Sequence, residues 1–99
     1  MIYELRTYDI RPGTLAEVEQ RFADAIEVRE KYSPLIGFWH TELGPLNQVL
    51  HLWAYEDLNE RTRIRAEAVK EPAWPPKVTE FCLRQESKIL VPASFSRLQ

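Results

Sequence analysis

The chain has one cysteine, Cys82, and no apolar run long enough to cross a bilayer. A single cysteine cannot form an internal disulfide, and its lack of a partner is typical of a reducing compartment. The first residues, Met-Ile-Tyr-Glu-Leu, lack the basic segment and apolar run of a secretory signal. These absences predict a cytoplasmic protein that neither crosses nor binds a membrane.

The chain also lacks an excess of charge of one sign and the common motifs of metal and nucleotide sites. Its formal net charge is −2, and its basic residues are spread along the sequence, which gives no electrostatic footprint for nucleic acid. Two histidines and one cysteine stand at scattered spacings, and no P-loop or dinucleotide fingerprint is present. The sequence therefore predicts no metal, no cofactor and no nucleic-acid partner.

What remains is the composition of an ordinary globular protein, with 44% apolar and 28% charged residues in 99 positions. That length supports one domain with one hydrophobic core. We expect a core over residues 1–91 and a C-terminal tail over residues 92–99.

The most informative stretch is the nearly unbroken apolar run at residues 47–55, which only His51 interrupts. Such a run, preceded by the Gly44-Pro45 turn signal, is typical of a strand that is buried on both faces. Further strands are predicted over residues 2–9, 36–43 and 81–91. Helices are predicted from about 15 to 31 and from 58 to about 69, and one short helical turn is predicted at 77–80.

Two local patterns fix the predicted helix starts. Thr14 followed by Glu17 has the spacing of a capping box, and Asp57 followed by Glu60 has the same spacing. The resulting order is strand, helix, strand, strand, helix, strand. In one small domain this order predicts a ferredoxin-like α+β fold, βαββαβ, with an antiparallel sheet.

Both helices of this fold lie on one side of the sheet, so the opposite face needs another cover. We assign the alternate set Val49, His51, Trp53 and Tyr55 to that opposite face and its neighbours to the helices. An exposed aromatic face of this kind marks an interface. A second copy packing sheet against sheet predicts a homodimer with twofold symmetry.

The residues that carry this pattern resemble those of the NIPSNAP family. The resemblance rests on Tyr-Glu-Leu-Arg-Thr-Tyr at 3–8, Pro-Gly at 12–13, the segment 44–55 and Pro-Ala-Trp at 72–74. It implies a dimeric α+β barrel, and it implies no particular reaction, because the family is defined by its fold and motifs.

Polar residues within the apolar strands are the first candidate site. If Glu4, Arg6 and Tyr8 share a face with His51, Trp53 and Tyr55, they line a cavity for a small polar or anionic organic ligand. The alternative is that Glu4, Arg6 and His51 form a hydrogen-bonded internal network with no ligand, because buried polar groups need partners in any case.

Two arginines, Arg61 and Arg65, lie near the apolar stripe of the second predicted helix. Guanidinium groups at these positions could clamp a phosphate or carboxylate. They could instead extend to solvent from the helix edge, or pair with Asp57, Glu60 or a carboxylate on a strand.

Three classes of function fit these observations. The first is binding of a small organic ligand near the sheet. The second is an enzyme resembling cofactor-independent monooxygenases, haem-degrading enzymes or small isomerases, in which His51 would be a general base or face a haem and Arg6 would hold a substrate oxygen. The third is a non-catalytic assembly module that uses surface around Trp74 and Phe95.

Overall fold

Four antiparallel strands form a single sheet in the spatial order β2-β3-β1-β4 in the computed structural model, which describes residues 1–99. The strands are β1 (Ile2–Ile10), β2 (Leu35–His40), β3 (Gln48–Tyr55) and β4 (Cys82–Leu90); the helices are α1 (Leu15–Arg29) and α2 (Leu58–Ala68), and one 3₁₀ turn spans Thr79–Phe81. This arrangement confirms the ferredoxin-like βαββαβ fold. None of its helices is long and apolar enough to span a membrane.

The register of the central pair β1 and β3 brings the candidate residues into alignment. Glu4 lies opposite Trp53, Arg6 opposite His51, and Tyr8 opposite Val49. On the other side of β1, Ser87 of β4 lies opposite Arg6. Side chains alternate between the two faces of a strand. The even-numbered residues of β1 therefore share a face with the odd-numbered residues of β3.

The two predicted helix starts have different outcomes. Asp57 caps α2 as predicted, since its carboxylate accepts a hydrogen bond from the backbone N–H of Glu60 at 2.7 Å. The capping box predicted at Thr14 does not form. Its backbone (φ −109°, ψ 2°) is not extended, so its hydroxyl instead donates to the carbonyl oxygen of Arg11 at 2.6 Å. The carboxylate of Glu17 pairs with Arg21 at 2.8 Å.

The helices cover the face of the sheet that carries His51, Trp53 and Tyr55, so the predicted assignment of the two faces is wrong. The Phe22 ring of α1 lies 5.2 Å from the His51 ring, and Trp53 and Tyr55 pack with Ile64 of α2. Alternation divided β3 into the correct two sets. Both sets are apolar, however, so alternation alone could not say which one faces the helices.

The opposite face of the sheet is not covered by either helix. Leu5, Leu50 and Leu52 are half-buried there, and Trp39 lies across Gly37 with 51% of its surface exposed. A Cβ atom at Gly37 would stand 2.3 Å from Cη2 of the Trp39 indole. We call these five residues the open face. Near its edge, the Tyr3 hydroxyl donates to the carbonyl oxygen of Gln99 at 2.8 Å, so the tail docks through its last residue.

Candidate functional site

A cavity of about 220 Å³ lies between the sheet and the helices. Aromatic side chains come from β1, α1, β3 and the connector that joins α2 to β4: Tyr8, Phe22, Trp53, Tyr55 and Trp74. The remaining lining residues are Arg6, Arg29, His51, Arg65, Pro75, Pro76, Val78, Thr79 and Gln85. Both helices, three of the four strands and the connector therefore contribute to one partly open cavity.

Six of the eight predicted site residues line this cavity: Arg6, Tyr8, His51, Trp53, Tyr55 and Arg65. The other two, Glu4 and Arg61, bind each other beside it. They meet because the even-numbered residues of β1 point to the side of the sheet on which α2 lies.

Glu4 is the buried anion of this region, with no exposed surface. Its carboxylate accepts a forked pair of hydrogen bonds from Arg61, at 2.9 and 2.7 Å, and further bonds from Nη1 of Arg6, at 3.1 Å, and from the Ser87 hydroxyl. Burial alone would raise the pKa of Glu4. The hydrogen bonds from Arg61 and Ser87 and the charges of Arg61 and Arg6 outweigh burial and lower that pKa to about 2. Glu4 is therefore ionised at neutral pH.

His51 is buried among aromatic rings and does not join the Glu4 network. Nε1–H of Trp53 donates to its Nδ1 at 2.7 Å, and the Phe38 ring stacks on it at 5.3 Å. Burial and the nearby charge of Arg6 lower the pKa of His51 to about 3. Because Nδ1 accepts a hydrogen bond, the neutral ring carries its proton on Nε2. Nε2 is the one buried side-chain nitrogen or oxygen without a hydrogen-bond partner.

Arg29 is a site residue that sequence reasoning missed. It is only 2% exposed, and its guanidinium donates to the Ser33 hydroxyl and the Tyr55 hydroxyl, both at 2.7 Å. The same group lies 4.5 Å above the centre of the Trp53 ring. A signal existed in the sequence: Arg29 follows Phe22 and Ala25 at helical spacing, so it continues the buried stripe of α1.

The cavity wall is strongly basic. Arg6, Arg29 and Arg65 line it, and none of its 14 lining residues is acidic. Arg6 is engaged by Glu4 and by the Tyr8 hydroxyl, to which its Nε donates at 3.2 Å. Arg65 is 43% exposed at its side chain, and its Nη1 is 4.0 Å from Glu4. The polar groups facing the cavity are thus mainly hydrogen-bond donors.

This arrangement suits binding better than proton abstraction. The lone pair that a general base would use is occupied on His51 by the Trp53 N–H. No group of three His, Cys, Asp or Glu side chains is placed to hold a metal ion. Rigid aromatic walls with a few convergent donors are the usual composition of a small-molecule site.

Comparison with known proteins gives a consistent result. The NIPSNAP family model matches residues 3–97. NipSnap homolog 2 from Homo sapiens is 39% identical over 99% of this chain, and the NipSnap homolog from Dictyostelium discoideum is 37% identical over 92% of it. The chain spans only 35% and 42% of the length of those two relatives.

Solved structures agree with the sequence comparison. Protein Atu4242 from Agrobacterium tumefaciens superposes with a TM-score of 0.94 at 34% identity, and each chain covers 100% of the other. A NIPSNAP-like domain protein from Burkholderia xenovorans, described as uncharacterized, is 44% identical with a TM-score of 0.85, covering 96% of this chain and 87% of its own.

A more distant neighbour shows the fold alone. A putative antibiotic biosynthesis monooxygenase from Nitrosomonas europaea has a TM-score of 0.72 at 9% identity, over 93% of this chain and 98% of its own.

The family match covers nearly the whole chain, and the relatives are similar in sequence over the same length. The chain therefore belongs to the NIPSNAP family.

Proposed function

We propose that this protein binds a small organic ligand in the cavity between its sheet and its helices. The observation that carries the proposal is the composition of that cavity, which is lined by five aromatic side chains together with three arginines and His51. Concave, largely apolar sites with a few placed polar groups are the usual form of small-molecule sites.

The size of the cavity limits the ligand. Its volume of about 220 Å³ lies below the roughly 300–1,000 Å³ that is typical of sites for drug-sized molecules. A molecule with one substituted ring fits this space better than a haem or a polycyclic substrate.

Tryptophan fluorescence tests the proposal directly. Of the three tryptophans, Trp53 and Trp74 line the cavity, whereas Trp39 lies on the open face. In the Trp39→Phe protein, all indole emission therefore comes from the cavity. We expect small aromatic compounds, neutral and charged, to change this emission and raise the melting temperature. A diverse panel that changes neither quantity would overturn the proposal.

Trp74→Ala and Trp39→Ala are a matched pair of substitutions, one inside the cavity and one outside it. Trp74→Ala removes one aromatic wall from the connector, so we expect weaker binding of the same compounds, whereas Trp39→Ala on the open face should leave their affinity unchanged. Equal effects of the two substitutions would contradict a ligand site in this cavity.

We further propose that two copies of the chain pack together through the open face. Leu5, Leu50 and Leu52 form an apolar strip that neither helix covers, and Trp39 extends it. Contiguous apolar surface of this kind is typical of protein interfaces. An isologous contact through the sheets would bury the strip of both copies at once.

A cytoplasmic location is proposed on a narrower basis. Cys82 is a free thiol with no disulfide partner, which suits a reducing compartment. Cell fractionation with an antibody to the endogenous protein tests this location.

A further inference from the structure

We propose that the group recognised in this cavity is an anionic oxygen group, a carboxylate or a phosphate, and that Arg29 is its receptor. This inference rests on the proposed function, because it names the class of ligand that the cavity takes. The ligand is then a small planar or aromatic acid, whose body lies between the aromatic walls.

The first argument is the balance of charge around the cavity. Glu4 is the buried carboxylate of the region, and Arg61 and Arg6 are its direct partners. Arg29 forms no ion pair; its hydrogen bonds go to the neutral hydroxyls of Ser33 and Tyr55. One buried guanidinium is therefore left without a counter-ion.

An unpaired buried charge is costly, and proteins normally pair it or use it. The aromatic rings of Trp53 and Trp74, at 4.5 and 5.8 Å from Cζ of Arg29, stabilise the cation but do not neutralise it. The two hydroxyls hold the guanidinium in one orientation. A bound anion would supply the missing charge, and guanidinium suits the oxygens of carboxylates and phosphates geometrically.

The second argument is independent of charge and comes from His51. Its Nε2 is buried without a partner, while Nδ1 already accepts from Trp53. In this tautomer Nε2 carries a hydrogen and needs an acceptor. A buried polar group without a partner is rare and costly in a folded protein. His51 and Arg29 line the same cavity, so the two groups that lack a partner border one space.

The third argument is that no acidic side chain lines the cavity, while three arginines do. The 14 lining residues include three arginines and no aspartate or glutamate. Arg65 is the partly exposed member of the three, so it extends the positive charge towards solvent. Charge of one sign at a cavity mouth raises the local concentration of the oppositely charged ligand.

Benzoate and benzamide are the pair of probes that tests the inference, because they share one shape and differ in charge. We expect benzoate to bind the wild-type protein about tenfold or more tightly than benzamide, by calorimetry or by cavity tryptophan emission. Phenyl phosphate is the third probe. Its affinity relative to benzoate decides between phosphate and carboxylate as the preferred group.

Arg29→Gln is the matching variant. It removes the charge and keeps a polar side chain, so we expect benzoate affinity to fall to that of benzamide, while benzamide affinity changes little. Arg65→Gln should reduce benzoate affinity less. Arg63→Gln, an equal change of charge at an exposed position on the same helix as Arg65, should have no effect.

Two results would overturn the inference and leave the proposed function standing: equal binding of benzoate and benzamide to the wild type, or benzoate affinity that survives in Arg29→Gln. If Arg29→Gln does not fold, the wild-type comparison alone decides. Failure of all three probes to bind the cavity, together with failure of the wider neutral and charged panel, would instead overturn the proposed function.

Discussion

Arg61 of α2 holds Glu4 of β1 through two parallel hydrogen bonds, Nε to Oε1 at 2.9 Å and Nη2 to Oε2 at 2.7 Å. This fork joins the second helix to the central strand of the sheet. The same carboxylate accepts from Arg6 and Ser87, so one buried anion links three elements of the fold. Glu4 is therefore a structural counter-ion, in agreement with the predicted alternative in which Arg61 pairs with a strand carboxylate.

Glu4→Gln should lower the stability of the domain substantially. The substitution removes the charge that compensates Arg61 and Arg6 and leaves both guanidinium groups beside a neutral amide. Breaking a buried ion pair by removing one partner costs about 3–5 kcal/mol. Because the side chain of Arg61 is 25% exposed, we expect a loss near the lower end of that range. Urea unfolding at pH 7 measures the free energy.

Glu67→Gln is the control for that measurement. Glu67 also lies on α2, but it is solvent-exposed and pairs only with Lys70. Exposed pairs contribute at most about 1 kcal/mol, so this variant should unfold like the wild type. If Glu4→Gln were as stable as Glu67→Gln, the fork would have no structural importance.

The Glu4 carboxylate also predicts a loss of stability in acid. Its folded-state pKa of about 2 lies below the ordinary value of 4.5, so its contribution is complete above pH 4.5 and is lost as the pH falls towards 2. The shift corresponds to roughly 3 kcal/mol. The difference in unfolding free energy between wild type and Glu4→Gln should therefore shrink over this pH window. A constant difference from pH 5 to pH 2.5 would contradict the assignment.

The lowered pKa of His51 predicts a second loss of folding stability in acid, which begins at a higher pH than the loss due to Glu4. The folded-state pKa of His51, about 3, lies below the ordinary 6.5, so the unfolded chain binds a proton that the folded chain does not. Stability is complete above pH 6.5 and should fall by about 1.4 kcal/mol per pH unit as the pH drops towards 3. Denaturant unfolding between pH 7 and pH 5 measures the slope, and His51→Gln should abolish it.

The other histidine provides the control. His40 is exposed and bonded to Glu19 at 2.9 Å, which raises the pKa of its imidazole. That change has the opposite sign, so it favours the folded state in acid. His40→Gln should therefore keep the decline below pH 6.5. If the loss of stability below pH 6.5 disappeared in His40→Gln, His51 would not be its source.

The proposed pairing through the open face predicts a concentration-dependent dimer. Leu52→Glu places a charge in the centre of the apolar strip, so we expect it to produce monomers at concentrations where the wild type is dimeric. Light scattering after size exclusion measures the mass. Leu58→Glu is the control, because it makes the same substitution at a leucine that is 55% exposed at the start of α2 and lies outside the open face. A wild type that is monomeric at every concentration would rule out the pairing.

Gly37 permits the position of Trp39 on that face. Because an added Cβ would stand 2.3 Å from the indole, Gly37→Ala must displace the ring. Trp39 is half exposed, so the ring can move at small cost in stability. We expect a change in Trp39 emission with a loss of less than about 1 kcal/mol. In a Trp39→Phe background the same substitution should leave the tryptophan spectrum unchanged; a change there would place the disturbance elsewhere.

The order and type of the elements were predictable because their patterns are local. Helical spacing from Leu15 to Ile26, the Asp57 cap and the apolar run at 47–55 all appear where they were expected. The ends were less predictable. β2 ends at His40, three residues before its predicted end at residue 43. The loop that follows includes Gly44 and Asn47, both with positive φ.

The strand residues of the predicted site share one sheet face, but the two helices, and not a second copy, cover that face. Alternation grouped Arg6 with Tyr8 and His51 with Trp53, and the register of β1 and β3 puts the two pairs on one face. Which face the helices cover depends on packing across the whole domain. Arg29 was missed because a single arginine at the end of a helix usually reaches solvent. Trp74, which the assembly hypothesis placed on a contact surface, packs against both hydrophobic clusters and lines the cavity.

The connector between α2 and β4 supplies Trp74, Pro75, Pro76, Val78 and Thr79 to the cavity wall. These residues lie outside both helices and all four strands, whereas Glu4 and Arg61, which tie the frame together, do not line the cavity. Under the proposed function, the connector would help to select the ligand, and the Glu4–Arg61 pair stabilises the frame. Val78 and Trp74 also belong to the hydrophobic packing, whereas Pro75 and Thr79 are exposed, so substitutions at these two positions would reshape the proposed ligand site without touching the Glu4–Arg61 pair.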